Sequence, residues 1–166
     1  PAHTSVEFKI KHLMISWVKG TFTDVKGSVV YDEAEPGKSS VNVQIATASV
    51  DTSNKKRDDH LRSPDFFDVA TYPVMSFVSK DIVVANGIPT QINGELTLHG
   101  ETRDVILDVE DFSQTVTDPW GTTRRGASAT TTINRKDFGL TWNKALEAGG
   151  VVVGEEVRIS LEVELI

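Results

Sequence analysis

Alternation of apolar and polar residues is the feature of this sequence that most constrains its fold. In the C-terminal run "VRISLEVELI", valine, isoleucine and leucine fall at every second position, with arginine, serine and glutamate between them. Successive side chains of a β-strand point to opposite faces, so this period indicates a strand with one buried and one solvated face. The same period recurs in "SVEFKIKH", "SVNVQIA", "NGELTLHG" and "RDVILDVEDF" and, less cleanly, in "VMSFVSK".

Turn-forming residues separate these runs. The "NG" at 86–87 is typical of a primed hairpin turn, because both central positions need a positive φ. The "DPWG" at 118–121 suits a type I turn, and "EPG" at 35–37 and "HG" at 99–100 mark two more. Counting gives about eight strands with short connections and no βαβ spacing, which indicates an antiparallel sheet. We therefore predict an all-β fold and a single domain over residues 1–166.

Eight strands with one apolar face each must bury that face by sandwiching or by closing. Closure is favoured over a sandwich, so we predict an eight-stranded antiparallel barrel with one short helical segment at about residues 53–69. The strand "RRGASATTTINR" has small residues on both faces, which leaves space in the barrel interior. Gly20, Gly27 and Gly94 in neighbouring strands either add to that space or relieve strain at corners and bulges.

Residues 53–69 are the stretch that does not alternate. Ser53 can cap a first helix, and the "SP" at 63–64 can begin a second, so we expect two short helices joined at Ser63. Two i,i+4 ion pairs fall within the first helix, Lys55 with Asp59 and Asp58 with Arg62. We predict that the run "RDDHLRSPDFFD" at 57–68 closes or gates one end of the barrel.

Composition excludes several classes of function. The chain has 24 acidic and 17 basic residues and a net charge of −7, so it would repel a phosphate backbone, and no nucleic-acid partner is expected. It has no cysteine, which excludes disulfides and thiolate chemistry. No apolar run approaches the ~18 residues of a membrane span. The chain begins with Pro1, so we expect a periplasmic or secreted protein if an upstream signal was removed, and otherwise a cytoplasmic one.

Catalytic and metal motifs are also missing from the sequence. The four histidines do not pair at the i,i+2 or i,i+4 spacings that aim two imidazoles at one metal ion: His3, His12, His60 and His99. The chain has no G-x-S-x-G elbow, P-loop or Rossmann fingerprint. We predict no catalytic residue, no metal ion and no cofactor.

Several long stretches resemble one known family. They are "HTSVEFKIKH", "VKGTFTDVKGSVVYD", "ASVDTSNKKRDDHLRSPDFFDVATYPVMSF", "GELTLHGETRDV", "INRKDFGLTWN" and "VVVGEEVRISLEVEL". In order and spacing the chain resembles the YceI-like family of polyisoprenoid-binding proteins. The resemblance implies a lipocalin-like barrel around a long apolar tunnel for an isoprenoid chain, and a role in isoprenoid quinone handling, transport or bacterial stress. Family members generally carry more residues before "PAHTSV", so we expect a shortened first strand and a changed N-terminal end of the tunnel.

The predicted function is non-enzymatic binding of an isoprenoid or quinone-type lipid. A fatty acid or fatty amide carrier, a lipid-modifying enzyme using the same tunnel and a fully packed module are the alternatives. The predicted lining residues are Phe8, Ile10, Phe22, Val43, Ile45, Phe67, Phe77, Leu96, Leu98, Leu107, Ile159 and Leu161, with Arg57, His12 and Trp142 at a mouth.

Two of these mouth residues keep a second interpretation. Arg57 shares a helix face with His60, either as a head-group clamp or as part of a solvated helix docked on the barrel. His12 is either a satisfied core histidine or a ligand contact. Tryptophans beside loops would suit transient contact with a membrane, and strand edges would suit a homodimer.

Overall fold

Residues 4–166, which the computed structural model describes, form one curled antiparallel sheet with one α-helix. The strands are β1 Ser5–His12, β2 Ser16–Phe22, β3 Val25–Val30, β4 Ser40–Ala46, β5 Val50–Asp51, β6 Val74–Ala85, β7 Ile88–Leu98, β8 Glu101–Phe112, β9 Val116–Thr117, β10 Thr123–Asn134 and β11 Val153–Leu165. Helix α1 spans Lys55–Arg62, and short 3₁₀ turns span Pro36–Lys38, Thr47–Ser49 and Arg135–Phe138. His3 lies outside the described residues.

The order of strands confirms the predicted all-β antiparallel architecture. Across the sheet it runs β3-β4-β6-β7-β8-β10-β11-β1-β2-β5, with β9 paired to β10, and every pair is antiparallel. The described residues form eleven strands, not eight, for two reasons. β9 is an extra strand of only two residues, and two bent segments each divide into two strands, 16–30 into β2 and β3 and 40–51 into β4 and β5.

The predicted barrel is confirmed as a curled antiparallel sheet, whose order within residues 4–166 runs from β3 at one end to β5 at the other. β2 and β3 follow each other in the chain, yet neither appears as the other's partner in the ladder. The bend between them is here called the seam, and through it the chain passes from pairing with β5 to pairing with β4. There the Thr23 N–H donates to the Ser49 carbonyl, and the Ala46 N–H donates to the Asp24 carbonyl. The molecule is therefore a half-barrel.

Two of the glycines in the sheet make room for aromatic rings. A Cβ at Gly20 would overlap the Phe8 ring and approach Thr52 Cγ2 at 2.9 Å, and a Cβ at Gly94 would lie 2.5 Å from Phe77 Cζ. The space beside these glycines is therefore filled by phenylalanine. Space for a ligand comes from β10, whose inward positions are alanine and threonine.

Hairpin turns follow the predicted chemistry except at one place. Asn86 and Gly87 have φ of 51° and 76°, as a primed turn requires, and the Gly121 N–H donates to the Asp118 carbonyl at 3.0 Å. The β1–β2 turn has the same positive φ at both central positions, but these are Leu13 at 52° and Met14 at 63°. Bulky residues rarely adopt this conformation.

The helical segment differs from the prediction at both ends. Asn54, not Ser53, caps α1 by accepting from the Arg57 N–H at 3.0 Å, because Ser53 has a φ of 58°. The second helix does not form, and residues after Ser63 make turns in which the Phe67 N–H donates to the Leu61 carbonyl. The predicted Lys55–Asp59 pair is present, whereas Arg62 pairs with Asp59 and Asp58 bonds elsewhere.

We expect Gly20→Ala to lower the free energy of unfolding by about 1–3 kcal/mol, because its methyl group overpacks against Phe8. Urea denaturation followed by circular dichroism measures this change. Gly126→Ala is the matched control, since its Cβ would meet only Ser113 atoms at 3.7–4.0 Å. Phe8→Leu should restore stability in the Gly20→Ala background, and equal losses in the Gly20 and Gly126 variants would contradict the packing account.

Candidate ligand-binding cavity

A large cavity runs beneath the inner face of the curled sheet. Its volume is about 1170 Å³, above the roughly 300–1,000 Å³ of common small-molecule pockets. Its lining includes Val153 at the start of β11 and Leu165 at the end. Twelve strand steps separate these two residues, so the cavity extends for about 40 Å.

All fifteen predicted site residues line this cavity. They are Phe8, Ile10, His12, Phe22, Val43, Ile45, Arg57, Phe67, Phe77, Leu96, Leu98, Leu107, Trp142, Ile159 and Leu161. The structure brings the twelve strand residues among them together because each strand presents alternate residues to the inner face. That they bind a ligand stays a prediction.

The cavity also has lining residues that the prediction left out of its site. Most continue the same alternation and could have been found from it: Val41, Met75, Ile92, Val105, Val109, Ile133, Val157 and Val163. Arg135 and Tyr31 also line the cavity, but they do not continue a run of alternating apolar and polar residues, so the sequence pattern could not have identified them. The inward face of β10 is confirmed as small, with Ala127, Ala129 and Thr131 lining the cavity.

Three aromatic rings cover one end of the cavity. The His60 ring meets Phe66 and Trp142 edge-on, with centroids 5.0 and 4.9 Å apart, and Phe66 and Trp142 are 5.2 Å apart. His60 Nε2 also lies 2.8 Å from Asp65 Oδ2. Aromatic pairs at these separations stabilise each other by about 0.5–1.5 kcal/mol. We call this group, His60, Phe66 and Trp142, the aromatic cap.

Helix α1 is tied to β5 through Thr52. Asp58 is buried, and its Oδ1 accepts from both the backbone N–H and the hydroxyl of Thr52. Arg57 donates from Nε to the Thr52 hydroxyl at 2.7 Å and from Nη2 to the Thr52 carbonyl at 2.8 Å. Asp58 is thus structural, whereas Arg57 and His60 reach the cavity from the same helix face, as predicted.

Arg135 places a positive charge in the cavity wall near the aromatic cap. Its side chain is 2% exposed and donates to the carbonyls of Gly154 at 2.7 Å and Leu140 at 2.6 Å. No carboxylate oxygen among residues 4–166 lies within 4.0 Å of it. Burial lowers the pKa of the Arg135 guanidinium and the charge of Glu155 opposes that shift, but arginine starts so far above neutrality that it stays charged.

Charged residues of the lining are mainly basic, although the chain as a whole is acidic. Five cations line the cavity, namely Lys11, Lys26, Lys56, Arg57 and Arg135, but only two carboxylates do, Glu7 and Glu164. The polar groups of the cavity are therefore mostly hydrogen-bond donors.

The other end of the cavity is built differently. Tyr31 and Phe112 stack with centroids 5.1 Å apart and line the cavity there, beside Leu165. The Arg125 guanidinium lies over both rings at 4.6 and 4.7 Å, and its Nη2 is 3.9 Å from a carboxylate oxygen of Glu33.

Two properties of residues 4–166 bear on function. No group of three or more histidine, aspartate or glutamate side chains there is placed to hold a metal ion. In the same part of the chain, no helix has the length and apolar character needed to cross a bilayer.

The curled sheet and its interior define a lipocalin-like antiparallel half-barrel with a large apolar cavity. The chain belongs to the YceI-like family, since the YceI-like domain matches residues 1–165. A UPF0312 protein of Pectobacterium atrosepticum is 45% identical over 139 residues, 84% of this chain and 71% of that protein.

Solved structures agree with this assignment. The crystal structure of the Campylobacter jejuni YceI protein is 32% identical and has a TM-score of 0.76, covering 95% of this chain and 89% of that one. A polyisoprenoid binding domain from Saccharophagus degradans, implicated in plant cell wall breakdown, has a TM-score of 0.68 and covers 97% of this chain and 92% of that one. At 18% identity, that second likeness concerns the fold alone.

The aromatic cap gives a prediction about ligand release. Phe66→Ala should raise the release rate of a bound NBD-labelled geranylgeranyl lipid roughly 3- to 10-fold, because its two aromatic contacts are lost. Stopped-flow fluorescence with excess unlabelled lipid measures the rate. Phe112→Ala, at the opposite end, is the matched control. If both variants release the lipid at the wild-type rate and their melting temperatures are unchanged, the aromatic cap does not gate release.

Proposed function

We propose that this protein is a non-enzymatic carrier of a single long-chain lipid of the isoprenoid class. The observation that supports this most is the continuous apolar lining of a cavity of about 1170 Å³. Spread over about 40 Å, this volume gives a mean cross-section of roughly 30 Å², wide enough for one extended hydrocarbon chain. The polyisoprenoid binding named for the Saccharophagus degradans domain supports the isoprenoid class.

Chain binding in such a cavity needs no specific polar contact. Each buried CH₂ group gains about 0.8 kcal/mol on leaving water, so affinity grows with chain length. Specificity then comes from the shape of the cavity and from a few polar groups at its end. Arg57 and Arg135 are donors that fit an acceptor-rich head group beside the aromatic cap.

Native mass spectrometry with organic extraction tests the carrier function. We expect the purified protein to carry a stoichiometric lipid that extracts into solvent and identifies both chain and head group. Ala129→Phe should abolish the adduct, because Ala129 faces the cavity at the middle of β10, and Thr130→Phe on the opposite face should not. Extraction of a fatty acid instead would show that the ligand is not an isoprenoid. An unloaded mass that persists after incubation with quinones, polyprenyl phosphates and fatty acids would contradict the proposal.

A second experiment addresses the head group. Arg57→Gln should weaken binding of a polyprenyl phosphate roughly tenfold or more, because a charge-assisted hydrogen bond is lost. It should leave binding of the neutral polyprenol of the same length unchanged, as measured by tryptophan fluorescence titration. Lys55→Gln is the control on the same helix, since Lys55 pairs with Asp59 and does not line the cavity. Equal losses for phosphate and alcohol would show that Arg57 acts only through the fold.

A further inference from the structure

The β1–β2 turn exposes three large apolar side chains in consecutive positions. Leu13 is 37% exposed, Met14 54% and Ile15 80%. Leu13 and Met14 hold the left-handed backbone that Asn86-Gly87 and His99-Gly100 adopt in the other two turns of this kind. Asparagine and glycine accept this conformation readily, whereas leucine and methionine are strained in it. Strain kept in this way is typical of functional segments.

A cluster of cations stands beside this turn on the outer face of the sheet. The Trp17 ring has Lys11 Nζ at 4.5 Å, Arg158 Cζ at 4.8 Å and Lys9 Nζ at 5.4 Å from its centroid. Lys9 is the cross-strand partner of both Lys19 and Arg158, and like charges placed opposite each other destabilise a sheet.

These charges are not neutralised within the described part of the chain. No carboxylate oxygen of residues 4–166 lies within 4.0 Å of the side-chain nitrogens of Lys9, Lys11, Lys19 or Arg158. Glu7 and Glu156 each lie two positions from a cation along the same strands, and an outer groove shared by Lys9 and Arg158 also has Asp104, Asp108 and Asp137 in its lining. A basic and apolar surface thus stands out on a chain whose net charge is −7.

The turn also adjoins the capped end of the cavity. The Leu13 N–H donates to the Val152 carbonyl at 2.8 Å, and Val152, Lys11 and His12 all line the cavity. A lipid that leaves past the aromatic cap would therefore emerge next to Leu13, Met14 and Ile15.

We propose that residues 13–15 form a docking tip that inserts into the surface of an anionic lipid bilayer. The apolar side chains would enter the boundary between head groups and acyl chains, with Trp17 at the interface. Lys9, Lys11, Lys19 and Arg158 attract the anionic head groups. Transfer of lipid through the adjacent mouth rests on the proposed carrier function, but the docking itself does not.

The positive charge of the basic cluster makes an anionic bilayer a better partner for the docking tip than a second copy of this chain. A symmetric dimer through the docking tip would bring two identical basic clusters together, because an isologous interface pairs the same patch from each subunit. Like charges facing each other across an interface oppose association. An anionic membrane surface is complementary to the same cluster.

Co-flotation with vesicles tests the docking. We expect binding to vesicles of phosphatidylcholine with phosphatidylglycerol, weaker binding to phosphatidylcholine alone, and loss of binding in high salt. Leu13→Asn with Met14→Gly and Ile15→Ser should lower the partition coefficient at least roughly tenfold. This variant supplies residues that suit the turn, so its melting temperature should not fall. Trp120→Ser is the matched control, since Trp120 is 86% exposed on the hairpin at the opposite end of β10 and β11.

A charge series tests the basic cluster separately. Lys9→Gln, Lys19→Gln and Arg158→Gln should each lower partitioning onto anionic vesicles by roughly fivefold. The control changes net charge equally at exposed lysines that already pair with carboxylates: Lys38→Gln, Lys55→Gln and Lys136→Gln.

Three results would overturn the docking tip. They are no wild-type binding to anionic vesicles, undiminished binding by the 13–15 variant, and a wild-type dimer that this variant converts to a monomer. Vesicle binding by a protein that holds no lipid in the extraction experiment would uphold the docking and remove only the carrier function.

Discussion

An apolar interior that its own side chains do not fill is the constraint on which the rest of this structure depends. The sheet has one apolar face and must curl to cover it. At the middle of β10 the inward residues are Ala127, Ala129 and Thr131, too small to meet the opposite wall. Protein interiors are otherwise packed as densely as organic crystals, so the lining of a large cavity forgoes dispersion contacts. A bound chain of matching shape would restore them, and ligand binding would then stabilise the fold.

Small residues have two separate effects here, and together they give the cavity its shape. Gly20 and Gly94 receive the rings of Phe8 and Phe77, which keeps the sheet closely packed beside them. The alanines of β10 leave space that no ring enters. The cavity consequently follows the strands as a long channel, and one ligand chain can contact residues from most of the sheet.

The sequence predicted the strand faces well because alternation reports directly which side of a sheet is buried. All fifteen predicted site residues line the cavity, and the twelve of them that belong to strands do so for this reason. Features set by tertiary contacts were not predictable in the same way. The second helix fails because Phe66 turns inward against Trp142, a residue distant in sequence. The seam depends on which strands pair after curling, and the burial of Arg135 depends on carbonyls of Gly154 and Leu140 that only the folded loop supplies. Leu13 and Met14 are not typical turn residues, so their left-handed backbone conformation could not be predicted from the residue types.

The two ends of the cavity differ in charge, and that difference would fix the direction of a bound amphiphile. At the Tyr31–Phe112 end the arginine charge is already engaged by aromatic faces and by Glu33. At the capped end Arg57 and Arg135 have no carboxylate partner within 4.0 Å among residues 4–166. An anionic head group is therefore most stable beside the aromatic cap, with its chain extended toward Tyr31. That head group lies at the end of the barrel that carries the docking tip. A lipid drawn from a bilayer tail-first would keep its head group at the membrane side throughout, so entry and release would require no reversal of the chain inside the channel.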